Sequence, residues 1–185
     1  GGTAVGNSVS APKEYVLNVN SILKKITKLP IAKSEDLIDA TQNVDMFVEV
    51  HGIMKAAAVS LIKISNDLRF LSSGPSGGIG EINLPPKQAG STIMPGKVNP
   101  VILENTIQLC ELVKGHDLII ANLAGSGNLE LNPFIPMLGH LFLKSIELLN
   151  ACTKNLAANC IDGISANAER CKLNLINSSA IAASL

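Results

Sequence analysis

Between residues 34 and 71 the chain has no proline and a single glycine, Gly52, and apolar side chains recur at Phe47, Val50, Met54, Ala57, Leu61, Ile64, Leu68 and Leu71. The gaps alternate three and four throughout, which is the mark of a helix with an apolar seam along one side. Ser34-Glu35-Asp36 supplies an N-cap residue and an acidic first turn. The pattern therefore predicts one helix from Ser34 to Leu71, about 55 Å long at the rise of an α-helix. A seam of that length needs another helix against it. It constrains the chain to an all-α bundle of long helices, with the seam placed between subunits.

The remaining composition agrees. Apolar residues make up 46% of the 185 residues, yet the aromatics are only four Phe and one Tyr, so the core is aliphatic. The 15 basic and 15 acidic residues cancel and form no basic patch, which removes the electrostatic basis for binding nucleic acid. The mean hydropathy is positive, as expected if apolar surface is covered by other subunits. No run of eighteen apolar residues suggests a membrane span, and no signal peptide opens the chain. Cys110, Cys152, Cys160 and Cys171 show no C-x-x-C spacing and read as free buried thiols of a reducing compartment such as the cytoplasm.

Further helices are expected from Ser10-Ala11-Pro12 to Lys28, from Pro100 to Ala124, from Phe134-Ile135-Pro136 to Cys160, and from Asn167 to Ala183. No strand pattern is visible. Gly74-Pro75, Gly77-Gly78, Gly80 and Pro85-Pro86 make Ser72–Gly90 a long irregular connection, a kind of segment that is often functional.

That connection leads into Gly90-Ser91-Thr92-Ile93-Met94-Pro95-Gly96-Lys97-Val98-Asn99-Pro100. Two hydroxyls, an ammonium and an amide lie within ten residues. Asn99 suits an N-cap and Pro100 the first helical position, and a helix start favours an anion. A nucleotide-binding loop is excluded by spacing. Five residues, not four, separate Gly90 from Gly96, Val98 stands where a metal-binding hydroxyl is needed, and Pro95 lacks a cradling N–H. Taken alone, Ser91 and Thr92 are loop hydroxyls, Lys97 a solvated cation, Asn99 a cap, and Glu104 an acid complementing the helix dipole. His51, His116 and His140 read as core or helix-surface residues, and neither a metal site nor a cofactor is indicated. Glu130 and Asn132 read as residues that fix the turn after the second long helix.

The segment resembles the signature of the aspartase/fumarase superfamily, G-S-S-x-M-P-x-K-x-N, with Thr92 replacing the second Ser. The resemblance covers nearly the whole chain. Gly1-Gly2-Thr3-Ala4-Val5-Gly6, Ser72-Ser73-Gly74-Pro75 with Gly80-Glu81, and Gly127-Asn128-Leu129-Glu130-Leu131-Asn132 are similar to three further family turns. It implies a central multi-helix core of a homotetramer and lyase chemistry on a small dicarboxylate. Ser91 would be the base that removes a proton beside a carboxylate, and Thr92 would hydrogen-bond the β-carboxylate. Lys97 and Asn99 would hold the other carboxylate. Glu104, in an N-P-x-x-x-E spacing, would be the catalytic partner of a histidine from an earlier segment that this chain lacks.

Glu81-Ile82-Asn83-Leu84-Pro85, Gln88-Ala89-Gly90 and Asn99-Pro100-Val101 resemble the members that release ammonia from L-aspartate. Hydration of fumarate is the alternative within the family, and a non-catalytic helical assembly module the alternative outside it. The chain departs from the family at Asn7-Ser8-Val9-Ser10, where Thr-Gly-Leu-Asn is usual, and at Ser76, where Arg is common. Family members are also much longer, with sites assembled from three subunits. The chain is accordingly expected to be a fragment, inactive alone, with residues 1–162 in the central helical domain and 163–185 opening a small C-terminal helical domain.

Overall fold

A computed structural model describes residues 4–91, 93, 94 and 96–179. It is mostly helical, as the periodicity predicts. Helix α1 spans Lys13–Thr27, α2 Asp39–Gln42, α3 Asp45–Leu71, α4 Val101–Ala124, α5 Ile135–Asn159 and α6 Ala168–Ile176. Among the described residues no helix is long and apolar enough to cross a membrane.

The chain divides into two compact units, residues 1–52 with 117–143, and residues 53–116 with 144–185. In the first, Val44, Ile120, Leu138 and Leu141 are buried together, flanked by Val48, Leu123 and Phe142. The Phe142 ring meets Phe47 edge to face at a centroid distance of 5.2 Å. In the second, Ala58, Cys110, Val113 and Cys152 bring α3, α4 and α5 together, and Leu103, Leu156 and Cys160 form a further apolar cluster.

The helix expected from Ser34 is broken. The Asp36 carboxylate accepts hydrogen bonds from the Ile38 and Asp39 amides (2.8 and 3.0 Å) and starts only the single turn of α2. Asn43 is extended, with φ −91° and ψ 135°, and Val44 turns into the core at 7% exposure. Tertiary contact explains the break. The preceding turn is pressed onto Gly6 (φ +80°), where a Cβ would fall 2.2 Å from the Leu37 carbonyl oxygen. Helix α3 thus starts at Asp45, and its 27 residues span about 40 Å.

The buried face of α3 also differs from the apolar seam. His51, Ala58 and Ser65, seven residues apart, are fully buried, while Phe47, Val50 and Ile64 remain more than 40% exposed. The two stripes lie about a quarter turn apart. Within the second unit, small side chains at Ala58 and Ser65 admit close neighbours and form the most deeply buried stripe, while the seam residues Leu61 and Leu68 pack partly buried against the same apolar clusters.

Two short strands went unseen in the sequence. Strand β1 (Ile82–Asn83) pairs antiparallel with β2 (Ser165–Ala166), in the register Ile82 to Ala166 and Asn83 to Ser165. Two-residue strands are too short to show a period. The Asn167 carboxamide caps α6 by accepting from the Arg170 amide (3.2 Å), as its cap chemistry predicts. That helix ends at Ile176 rather than continuing, and Asn177 donates to the Leu173 carbonyl. Residues 180–183 of the expected helix lie outside the described residues.

Candidate active site

The Ser72–Pro100 connection is folded by contacts at both of its sides. Gly78 packs so closely on Ser73 that a Cβ would fall 2.4 Å from its backbone. The Ser73 hydroxyl donates to the Phe70 carbonyl (2.6 Å) and accepts from the Ile79 amide (3.1 Å). The Glu81 amide donates to the Leu71 carbonyl (2.9 Å). On the outer side the Arg170 guanidinium donates to the carbonyls of Ile79 (3.0 Å) and Gly78 (2.8 Å). The Asn174 carboxamide donates to the Ile79 carbonyl and the Glu81 carboxylate (3.3 and 3.1 Å).

The 90–97 segment is a loop pinched at its base. A Cβ on Gly90 would lie 1.4 Å from the Lys97 carbonyl oxygen, so only glycine fits. Gly96 is left-handed (φ +80°), and the Lys97 amide donates to the Met94 carbonyl (3.2 Å). The half-buried Ser91 accepts from the Ile93 amide at Oγ (3.1 Å). Thr92 lies outside the described residues. The first i to i−4 bond of α4 runs from the Glu104 amide to the Pro100 carbonyl (3.1 Å), so Pro100 rather than Asn99 takes the cap position.

A cleft of about 620 Å³ opens between these pieces in the second unit. Gly74, Gly80 and Asn83 line it together with Lys97, Asn99 and Glu104. Ser91 is not among the residues lining it. Helix α4 presents its N-terminal end here, with the partial positive charge of its unpaired N–H groups. Lys97, Arg69 and Arg170 add cationic side chains. Arg69 Nη2 lies 3.8 Å from Glu104 Oε1, both about 40% exposed, an ion pair weakened by solvent. The cleft can thus attract a small anion and place an ammonium and an amide beside it. Sequence reasoning missed Arg69 and Arg170. Neither carries a local motif, and only the fold brings them to the cleft.

The other candidate chemistries are structural. Buried His51 pairs through Nδ1 with Asp117 (3.0 Å), His116 through Nδ1 with the Ser145 hydroxyl (2.9 Å), and His140 is exposed. Among the described residues no three His, Cys, Asp or Glu side chains cluster as metal ligands. Burial, then the neighbouring Cys152, pushes the Cys110 thiol up to about 12, and burial raises Cys160. Neither thiol supplies a thiolate at neutral pH. Asn132, as expected, fixes the turn after α4, while Glu130 is exposed.

Long helices joined by a glycine-rich connection that ends at a helix start thus frame a cleft suited to a small anion. Residues 1–115 match the family described as lyase, and the chain belongs to that family. It is 45% identical over 178 residues to an aspartate ammonia-lyase of Corynebacterium glutamicum, covering 96% of this chain and 34% of the relative. It is also similar to the crystal structure of a fumarate lyase:delta crystallin from Brucella melitensis bound to cobalt, with TM-score 0.95 and 44% identity over 100% of this chain and 40% of that one. A class II fumarase of Schistosoma mansoni matches with TM-score 0.87 and 31% identity, over 92% of this chain and 39% of that one. The chain spans about a third to two-fifths of the length of these relatives.

Proposed function

We propose that the intact protein to which this chain contributes is an ammonia-lyase that converts L-aspartate to fumarate and ammonia. One observation carries the reading: Lys97, Asn99 and Glu104 meet in a single cleft at the start of α4. Lys97 and Asn99 bind one carboxylate of the substrate there. Ser91, as alkoxide, takes the Cβ proton. The electron pair left on Cβ delocalises into the β-carboxylate, where the Thr92 hydroxyl donates, and the C–N bond then breaks to release ammonia. The Ile93 amide bond to Ser91 Oγ favours the negative form of that oxygen. Gly90 and Gly96 are the joints on which the segment closes over substrate and excludes water. Glu104 is held by Arg69 in this chain and acts with a group from another segment.

Aspartate is preferred to malate as substrate because identity to the aspartate ammonia-lyase is 45% and to the fumarase 31%. The protein assembles as a homotetramer in the cytoplasm, with composite sites. The exposed seam at Phe47, Val50 and Ile64 supports an intersubunit helix face. The chain alone is inactive, and residues 163–185 open a second, smaller domain. The test is fumarate formation by the intact protein from L-aspartate and from L-malate. Turnover of aspartate is expected. Turnover of malate alone would replace the assignment by a hydratase, and turnover of neither would leave the assembly-module reading.

A further inference from the structure

We infer that Arg170 is a positioning residue that fixes the cleft wall formed by Gly78–Asn83. The Ile79 peptide groups are held from opposite sides. The amide donates to Ser73 Oγ (3.1 Å), and the carbonyl accepts from Arg170 Nε (3.0 Å). Arg170 Nη2 takes the preceding carbonyl, Gly78 (2.8 Å), so one planar guanidinium spans two successive acceptors. Lysine cannot reproduce that fork, because its ammonium is a point charge on a flexible stem. Asn174 adds a bond to the same Ile79 carbonyl, and the Asn167 amide one to the Glu81 carbonyl (2.8 Å).

The tethers on the outer side come from α6, its cap and strand β2, more than eighty residues away in sequence. The wall they hold is rich in glycine and has little rigidity of its own. Gly80 is left-handed (φ +61°), and Gly78 has no room for a Cβ. Gly80, Ile82 and Asn83 line the same cleft as Lys97 and Asn99. Loosening the wall therefore alters the shape of the cleft while leaving Lys97, Asn99 and Glu104 in place, the Arg170 guanidinium being itself engaged by the wall's carbonyls. The catalytic part of this inference rests on the lyase reading above. The mechanical part does not.

The test is Arg170→Ala and Arg170→Lys in the intact protein. Hydrogen exchange is followed at the amides of Ile79 to Asn83, and steady-state kinetics with L-aspartate. Two charge-assisted hydrogen bonds are lost, so exchange at Ile79 and Glu81 is expected to speed up by about tenfold or more in Arg170→Ala, with α4 and α5 unchanged. KM for L-aspartate is expected to rise by about tenfold, with kcat changed less, because the lost order acts on binding geometry. Arg170→Lys is expected to recover part of both effects. Unchanged exchange at these amides would overturn the clamp. Faster exchange with an unaltered KM would overturn the positioning role. A wild-type protein silent toward L-aspartate would defeat the lyase reading while the exchange measurement still decided the clamp.

Discussion

The two connections that flank helix α4 are built on opposite plans. The short one, Gly125–Phe134, satisfies its polar groups with a residue of its own. Asn132, 6% exposed, donates to the Leu123 and Ala124 carbonyls (3.0 and 3.2 Å) and accepts from the Phe134 amide (2.9 Å). It thereby serves the last turn of α4 and the first of α5 with one side chain. The long one, Ser72–Pro100, takes the partners of its outer side from α6. A connection closed on itself fixes helix geometry. One held from elsewhere leaves its backbone free to line a cleft.

This difference predicts that changes in the long connection cost chemistry and changes in the short one cost stability. The largest effect belongs to Ser91→Ala in the intact protein. Fumarate formation from L-aspartate should fall by about a thousandfold or more, the scale of a lost general base, with assembly and melting temperature unchanged. A loss of less than tenfold would remove Ser91 from the chemistry and break the contrast. Asn132→Ala should act the other way. It strands two part-buried carbonyls and an amide and should lower the unfolding free energy by about 2 kcal/mol in denaturant titrations, with KM retained at a permissive temperature. If its KM for L-aspartate rises instead, the short connection also serves the site.

A smaller effect tests the helix between the two connections. Burial raises the Cys110 thiol from 9.0 to about 12, so at alkaline pH the folded state holds a proton that the unfolded state has released. The associated stability is complete below pH 9 and is lost as pH rises toward 12. The melting temperature should fall faster over that window in the wild type than in Cys110→Ala. Parallel curves would show that the thiol is not desolvated as the packing requires. The smallest change is Ser65→Ala. Among the described residues Ser65 Oγ is buried without a hydrogen-bond partner, so removing it should raise stability by about 1 kcal/mol, measured by chemical unfolding. A loss of stability would mean that the oxygen is satisfied on the buried stripe of α3.

Much of the fold was written in local order. The ends of α4 and α5 fall within one residue of the bounds expected, Pro100 to Ala124 and Phe134 to Cys160, because caps and breakers act on their own backbone. The 90–99 segment and its chemical groups were legible for the same reason: hydroxyl, ammonium and amide lie within ten residues on a glycine-jointed loop. Periodicity was less reliable about faces. It identified an apolar stripe on α3 but not which stripe is most deeply buried within the chain, since that depends on the neighbours that arrive and on how closely small side chains let them approach.

The sequence alone settled that the chain is helical, where its longest loop falls and which groups that loop carries. The tertiary structure decided the break at Asn43-Val44, the small-residue stripe of Ala58 and Ser65 as the most deeply buried face of α3, and the place of Arg69 and Arg170 at the cleft. Helix and turn propensities arise from interactions a few residues apart, so they can be read in order along the chain. The Arg170 bonds join groups 91 and 92 positions apart, and no pattern within either segment encodes the other.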